Sequence, residues 1–199
     1  MFFSLFPFLI NKIEIEKEKI IFIYFIAFST VMEFYVDTSA YLKVSVLWMS
    51  HIYFSAEYFF FFFILFQYGP RFKQFWLIMG GIVAVFVLAD NFIITPFAKY
   101  SYISLSTQDF FLFLLSSWII IELTVKNFVP FYKDDRFYIA TGIFIYSSLM
   151  ALMSFLFNSF LVKLPFSIGS WSIICMNFFF TYAMVLYYKQ RKMLAEALK

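Results

Sequence analysis

Long apolar stretches alternate with short polar or turn-forming segments along this chain. Most of these stretches approach or exceed the roughly 20 apolar residues that a helix needs to cross a bilayer. Turn signals such as Tyr68-Gly-Pro-Arg71 and Pro165 separate them. The pattern predicts an all-α fold, a polytopic membrane helical bundle with about six transmembrane helices. The predicted spans cover residues 21–36, 44–68, 74–96, 103–125, 137–162 and 166–188.

The two ends of the chain lie outside these spans. Residues 1–10 are apolar but would form a helix of about 15 Å, which is half a bilayer. We therefore interpret residues 1–20 as an interfacial segment; if residues 1–10 did cross, the chain would have one more span and an external N-terminus. Residues 189–199 form a basic tail that continues the last span without a helix breaker. The prediction is a single membrane-embedded helical domain over residues 1–199.

The composition agrees with a membrane protein. The chain is 64% hydrophobic with a mean hydropathy of +0.87, whereas soluble domains use about 45–50% apolar residues. A core of 199 residues cannot hide that much apolar surface, so the lipid bilayer must cover most of it. No loop is long enough to build a folded basic face, and direct nucleic-acid binding is therefore not expected.

The basic residues are distributed unevenly between the two sides of the predicted bundle. With both termini on one side, twelve of the fifteen Lys and Arg residues fall on that side and three, Lys43, Lys99 and Lys163, fall on the other. Because short cytoplasmic loops are enriched in Lys and Arg, this distribution predicts that both termini are cytoplasmic. The exposed basic residues of that side form a predicted docking surface for a cytoplasmic protein effector: Lys126, Lys133, Arg136, Lys189, Arg191 and Lys192.

Several ionisable residues occur inside the predicted spans. Each costs roughly 2.5–3.5 kcal/mol at the centre of a membrane helix, so each needs either a structural partner or a function. Pairing across helices to hold the bundle is one interpretation; a ligand pocket, or an ion or proton cluster facing outward, is the other. The second interpretation predicts a cluster that includes Glu33, His51, Glu57, Asp90, Asn91 and Asp109.

Motifs for other chemistries are missing from the sequence. With one His and one Cys, the chain cannot form a His-Glu-x-x-His metalloprotease site. It also has too few His and Cys ligands for a four-ligand zinc site. No G-x-G-x-x-G or Walker A motif occurs among the five glycines. We therefore predict no catalytic residues, no metal, no cofactor and no enzymatic activity. Association of the chain with copies of itself is compatible with this pattern.

Three parts of the sequence carry a resemblance to known proteins. They are the polar span around Glu33, the segment His51-Ile-Tyr-x-x-x-Glu57, and the segment Asp135-Arg-Phe-Tyr-Ile-Ala-Thr-Gly-Ile-Phe-Ile-Tyr146. In this layout the chain resembles small multi-pass membrane proteins of Bacteroidetes-type bacteria. These include the membrane input regions of sensor kinases and the membrane accessory protein of type VI-B CRISPR systems, which modulates an RNA-guided RNase.

The resemblance carries over no functional residue, but it implies a location and a role. The location is the bacterial inner membrane. The role is that of a non-enzymatic accessory or regulatory protein that modulates a CRISPR RNA-targeting effector in antiviral defence. The alternative is a membrane sensor input module, or a small transporter or channel, that uses the buried polar cluster.

Overall fold

The computed structural model describes residues 17–41, 47–96, 101–126, 130–158 and 167–197, and every regular element in these ranges is helical. This confirms the predicted all-α class for the described part of the chain. The helices are α1 Lys17–Tyr41, α2 Leu47–Gln67, α3 Lys73–Ala89, α4 Tyr102–Lys126, α5 Asp135–Asn158 and α6 Ser167–Ala197. A π-helical turn, Asp90–Ile94, extends α3, and a short 3₁₀ turn, Phe131–Lys133, precedes α5.

Five of these helices are long and apolar enough to cross a membrane, as a membrane protein requires. The helix α1 is not among these five, and its described apolar segment is Ile23–Met32. The prediction of about six spans is therefore supported for five helices. The spanning segments are Trp48–Gln67, Lys73–Ile94, Tyr102–Val125, Asp135–Phe155 and Trp171–Met193.

The helix α2 lies at the centre of the bundle. Its Phe61 ring contacts Phe25 of α1, Tyr146 of α5 and Phe180 of α6 at centroid distances of 4.7, 5.8 and 6.3 Å. The buried Tyr58 of α2 donates a hydrogen bond to the carbonyl of Gly80 in α3 at 2.7 Å. Aromatic side chains thus fill the core and bring the other helices against α2.

Small residues allow the closest helix contacts. A Cβ atom on Gly80 would lie 2.5 Å from Cε2 of Phe62, and one on Gly142 would lie 3.0 Å from Cε1 of Phe180. A row of small residues along α5 is directed inward as well, since Ala140, Ser147 and Ser154 are all buried. This row lies on the side on which α5 packs.

The outer side of α3 consists of large apolar side chains. Leu77, Ile78, Ile82 and Val85 are each more than half exposed, although they lie in the middle of a spanning helix. In water such a surface would be unfavourable, whereas in a bilayer it contacts lipid chains.

One end of the bundle gathers the polar connections between helices. The backbone N–H of Arg71 donates to Oε1 of Glu122 at 2.8 Å, and Nε2 of Gln190 donates to the carbonyl of Lys133 at 2.5 Å. The α2–α3 turn, the end of α4, the start of α5 and the end of α6 therefore lie together. We call this end, residues 68–73, 122–126, 130–136 and 187–193, the basic end.

Candidate functional site

Glu57 lies inside α2, with only 1% of its surface exposed. Its two carboxyl oxygens accept hydrogen bonds from two phenols, Tyr53 at 3.3 Å and Tyr146 at 3.0 Å. Tyr53 precedes Glu57 by one helical turn, so the two side chains share a face of α2. Tyr146 comes from α5, and the bond that it donates joins the two helices across the core.

A second carboxyl group lies beside the first. Asp109 of α4 is also 1% exposed, and it is within electrostatic reach of both Glu57 and Tyr146. Within the described part of the chain, its Oδ2 atom has no hydrogen-bond partner. We call Tyr53, Glu57, Asp109 and Tyr146 the carboxyl cluster.

The three helices that form the cluster bring no Lys or Arg side chain close to its carboxyl groups. Between Leu47 and Asn158, these helices contain only two Lys or Arg residues, Lys126 at the end of α4 and Arg136 at the start of α5. Both positions are at the basic end of the bundle, several turns from the carboxyl groups. The cluster is therefore acidic and deeply buried.

A separate polar network joins α2, the π-turn and the start of α4. Asn91 donates to Oγ of Ser55 at 2.9 Å and accepts from Ser104 at 3.1 Å. Asp90 accepts from Thr95 at 3.0 Å and also from Ser101. In this network both oxygens of Asp90 and both polar atoms of the Asn91 amide have partners, which suits a structural role.

Four of the six residues predicted for one polar cluster are thus divided between two places. Glu57 and Asp109 lie in the carboxyl cluster, whereas Asp90 and Asn91 belong to the other network. His51 is buried on α2, one turn before Ser55, whose hydroxyl donates to the His51 carbonyl at 2.8 Å. Glu33 lies within α1, and its side chain is outside the described residues.

Other polar residues of the two sites were not predicted from the sequence. Tyr53 could have been found, because residues four apart in a helix face each other. Tyr146 lies 89 positions from Glu57 and gives no such signal. Gln108, adjacent to Asp109, is fully buried, and neither atom of its amide has a hydrogen-bond partner within the described residues.

The predicted docking residues differ in their surroundings. Lys133, Lys189 and Lys192 are exposed, but Arg136 is half-buried and forms a 2.7 Å ion pair with Asp134. Arg191 donates from Nε to the Tyr187 hydroxyl at 3.2 Å. Lys126 ends α4, and its side chain is outside the described residues.

Two cavities lie away from both polar sites. A groove of about 530 Å³ opens between α4 and α5, and most of its wall is apolar, including Phe110, Phe113, Leu152 and Phe155. A smaller pocket of about 130 Å³ at the basic end contains Glu122 and Arg136. Neither cavity is lined by a carboxyl group of the cluster.

No family model, no curated protein and no solved structure matches this chain. Among the described residues, no group of three or more His, Cys, Asp or Glu side chains is arranged to hold a metal ion. The function must therefore be inferred from the chemistry of the site itself.

Proposed function

We propose that the chain is a non-enzymatic membrane protein that senses or moves a small cation, the proton included, by means of the carboxyl cluster. The observation that carries this proposal is the burial of Glu57 and Asp109 within reach of each other. Ionisable residues at such depth line ion pathways and proton relays in many membrane proteins.

A purely structural role accounts less well for the two carboxyl groups. A hydrogen bond between membrane helices stabilises a protein by about 0.6 kcal/mol on average, and at most about 1.7 kcal/mol. Each acidic residue near the centre of a span costs roughly 2.5–3.5 kcal/mol. Glu57 makes one such bond between helices, to Tyr146, and Asp109 makes none within the described residues. The bond between helices therefore recovers only part of the cost of placing the Glu57 carboxyl group in the membrane.

Reconstituted protein tests this proposal. We expect purified protein in phosphatidylethanolamine–phosphatidylglycerol vesicles to respond to an imposed proton, Na⁺ or K⁺ gradient. The response is either a flux, followed with an ion-sensitive dye, or a change in tryptophan fluorescence. Glu57→Gln and Asp109→Asn should each abolish the response, because each variant removes one carboxyl group and nearly preserves the shape of the side chain.

The matched control is Glu122→Gln, which removes a carboxyl group at the basic end of the same bundle. It should respond like the wild type. The proposal is wrong if the wild type gives neither a flux nor a fluorescence change, or if Glu57→Gln and Asp109→Asn respond as the wild type does.

The basic end favours a second candidate function, that of an accessory or regulatory protein. Gln190 of α6 binds the Lys133 carbonyl, so the α5 entry and the end of α6 form one surface. This surface exposes Phe131, Tyr132 and Met193 beside Lys133 and Lys192. Aromatic residues together with positive charge suit a partner with an acidic surface.

The resemblance in layout suggests a specific partner for this surface, the RNA-guided RNase of a type VI-B CRISPR system. In that case the chain would be an inner-membrane regulator in antiviral defence, with the basic end in the cytoplasm. This second proposal depends on the resemblance for the identity of the partner and on the geometry for the surface.

Charge reversal at the basic end tests the second proposal. We expect the wild type to retain the co-expressed RNase on an affinity column. The triple variant, Lys133→Glu with Lys189→Glu and Lys192→Glu, should bind the RNase at least about tenfold more weakly. Lys99→Glu, on the side predicted to be external, is the control and should bind normally. If the triple variant loses binding only to anionic vesicles, the surface is a lipid anchor and the proposal fails.

A further inference from the structure

We infer that the ligand of the carboxyl cluster is a proton, shared between Glu57 and Asp109. This inference depends on the proposed function, since it selects one ligand from the small cations considered above. It assigns the pair, and not Asp90, as the group that takes up and releases the proton.

The hydrogen bonds around Glu57 disfavour a metal ion. Both of its oxygens accept from phenol hydroxyls, so the hydrogens of Tyr53 and Tyr146 point toward the carboxyl group. A metal ion would have to displace these hydrogens. Ca²⁺ takes about 6–8 oxygen ligands and Mg²⁺ requires near-octahedral geometry, and the cluster has only two carboxyl groups and two phenols. A proton needs neither a cavity nor a shell of ligands.

The hydrogen-bonding state of Asp109 points to the position of the proton. Its Oδ2 atom is buried and has no donor among the described residues. Buried polar atoms without a partner are rare in proteins and call for an explanation such as a bound ion. An ionised carboxyl group is far costlier to bury without a partner than a neutral one, so a proton on the pair explains how Asp109 can lie there.

The charges around the pair favour the same conclusion. The titratable groups that face Glu57 are Tyr53 on its own helix, Asp109 on α4 and Tyr146 on α5. The helices α1 and α6 approach this region with aromatic rings, Phe28 against Tyr53 and Phe180 against Phe61. Two carboxylates within electrostatic reach of each other repel when both are ionised, and a single proton on the pair relieves this repulsion.

Proton loading would change the packing between helices. The Tyr146 phenol binds an ionised carboxylate more strongly than a neutral carboxyl group, since charge-assisted hydrogen bonds are about twice as strong. Release of the proton therefore strengthens the α2–α5 connection and, at the same time, increases repulsion between α2 and α4. The pair can convert a change in proton concentration into a relative movement of α4 and α5.

Thermal unfolding in detergent, measured over a range of pH and in different salts, tests the proton assignment. We expect the wild-type Tm to fall by at least about 3 °C as the pH rises and the proton leaves, and to be the same in Na⁺, K⁺ or choline at equal ionic strength. Glu57→Gln and Asp109→Asn should each remove this pH dependence. Tyr146→Phe, which keeps both carboxyl groups, should lower Tm at every pH and retain the dependence.

The outcomes separate the two proposals. If the Tm depends on Na⁺, K⁺, Ca²⁺ or Mg²⁺ at fixed pH, and not on pH itself, the ligand is not a proton. The proposed cation function would still hold. A wild-type Tm that depends neither on these cations nor on pH would contradict both the proton assignment and the proposed cation function. If a variant does not fold, the salt and pH series on the wild type still decides between the proton and a metal cation.

Discussion

Replacing Glu57 with alanine is expected to abolish the response to an ion gradient and to lower the free energy of unfolding by about 2–4 kcal/mol. The substitution removes one carboxyl group of the pair, so no shared proton can be held. It also leaves the buried Tyr146 hydroxyl without its acceptor, which costs about 1–3 kcal/mol, and it opens a cavity beside the aromatic core. Ion response in vesicles and unfolding in detergent measure the two effects.

A double variant separates the two causes. When Tyr146→Phe is added to Glu57→Ala, the orphaned hydroxyl disappears, and about 1 kcal/mol of stability should return. The ion response should stay absent, because the carboxyl group is still missing. Equal stability of the single and the double variant would show that the Tyr146–Glu57 bond does not contribute as described.

Replacing Gly80 with alanine is expected to destabilise the bundle by about 1–3 kcal/mol. The new Cβ atom would lie 2.5 Å from the Phe62 ring, which has little room to move. Phe62 is buried, stacks on Tyr58 at 6.1 Å and contacts Phe111 at 6.0 Å. The clash would separate α2 from α3 and weaken the Tyr58 hydrogen bond to the Gly80 carbonyl.

The adjacent glycine provides the matched control. A Cβ atom on Gly81 would meet nothing within 4 Å, so Gly81→Ala should be neutral or should stabilise the helix by up to about 1 kcal/mol. Unfolding of both variants in detergent under the same conditions checks the pair. Equal stability of Gly80→Ala and Gly81→Ala would contradict the close α2–α3 packing.

The fold was predictable to the extent that it depends on local sequence. Apolar spans with turns such as Gly69-Pro70 between them predict the helices and their order. The observed bounds of α2, of α3 together with its π-helical turn, of α4 and of α5 lie within a few residues of the predicted spans. The first predicted span, residues 21–36, lies within α1, and its crossing of the membrane stays a prediction. Membrane orientation stays a prediction from charge.

From the sequence, the site was predictable only as a set of ionisable residues that are costly to place inside a membrane. Hydropathy identified Glu57, Asp90 and Asp109 as unusual within spans, but the faces on which they meet depend on helix packing. Thus Glu57 and Asp109 come together, whereas Asp90 bonds to hydroxyls near the start of α4. Tyr146, the second phenol partner of Glu57, comes from a helix distant in sequence and required the three-dimensional fold.

Infrared difference spectroscopy of the carboxyl C=O stretch tests the shared proton most directly. Wild-type protein in vesicles, compared between low and high pH, should show the band of a buried protonated carboxyl group whose hydrogen exchanges slowly in D₂O. Glu57→Gln and Asp109→Asn should each remove that band, and Asp90→Asn should leave it unchanged. A slowly exchanging band that survives in Glu57→Gln and Asp109→Asn, or its absence from the wild type at every pH, would contradict a proton shared by Glu57 and Asp109.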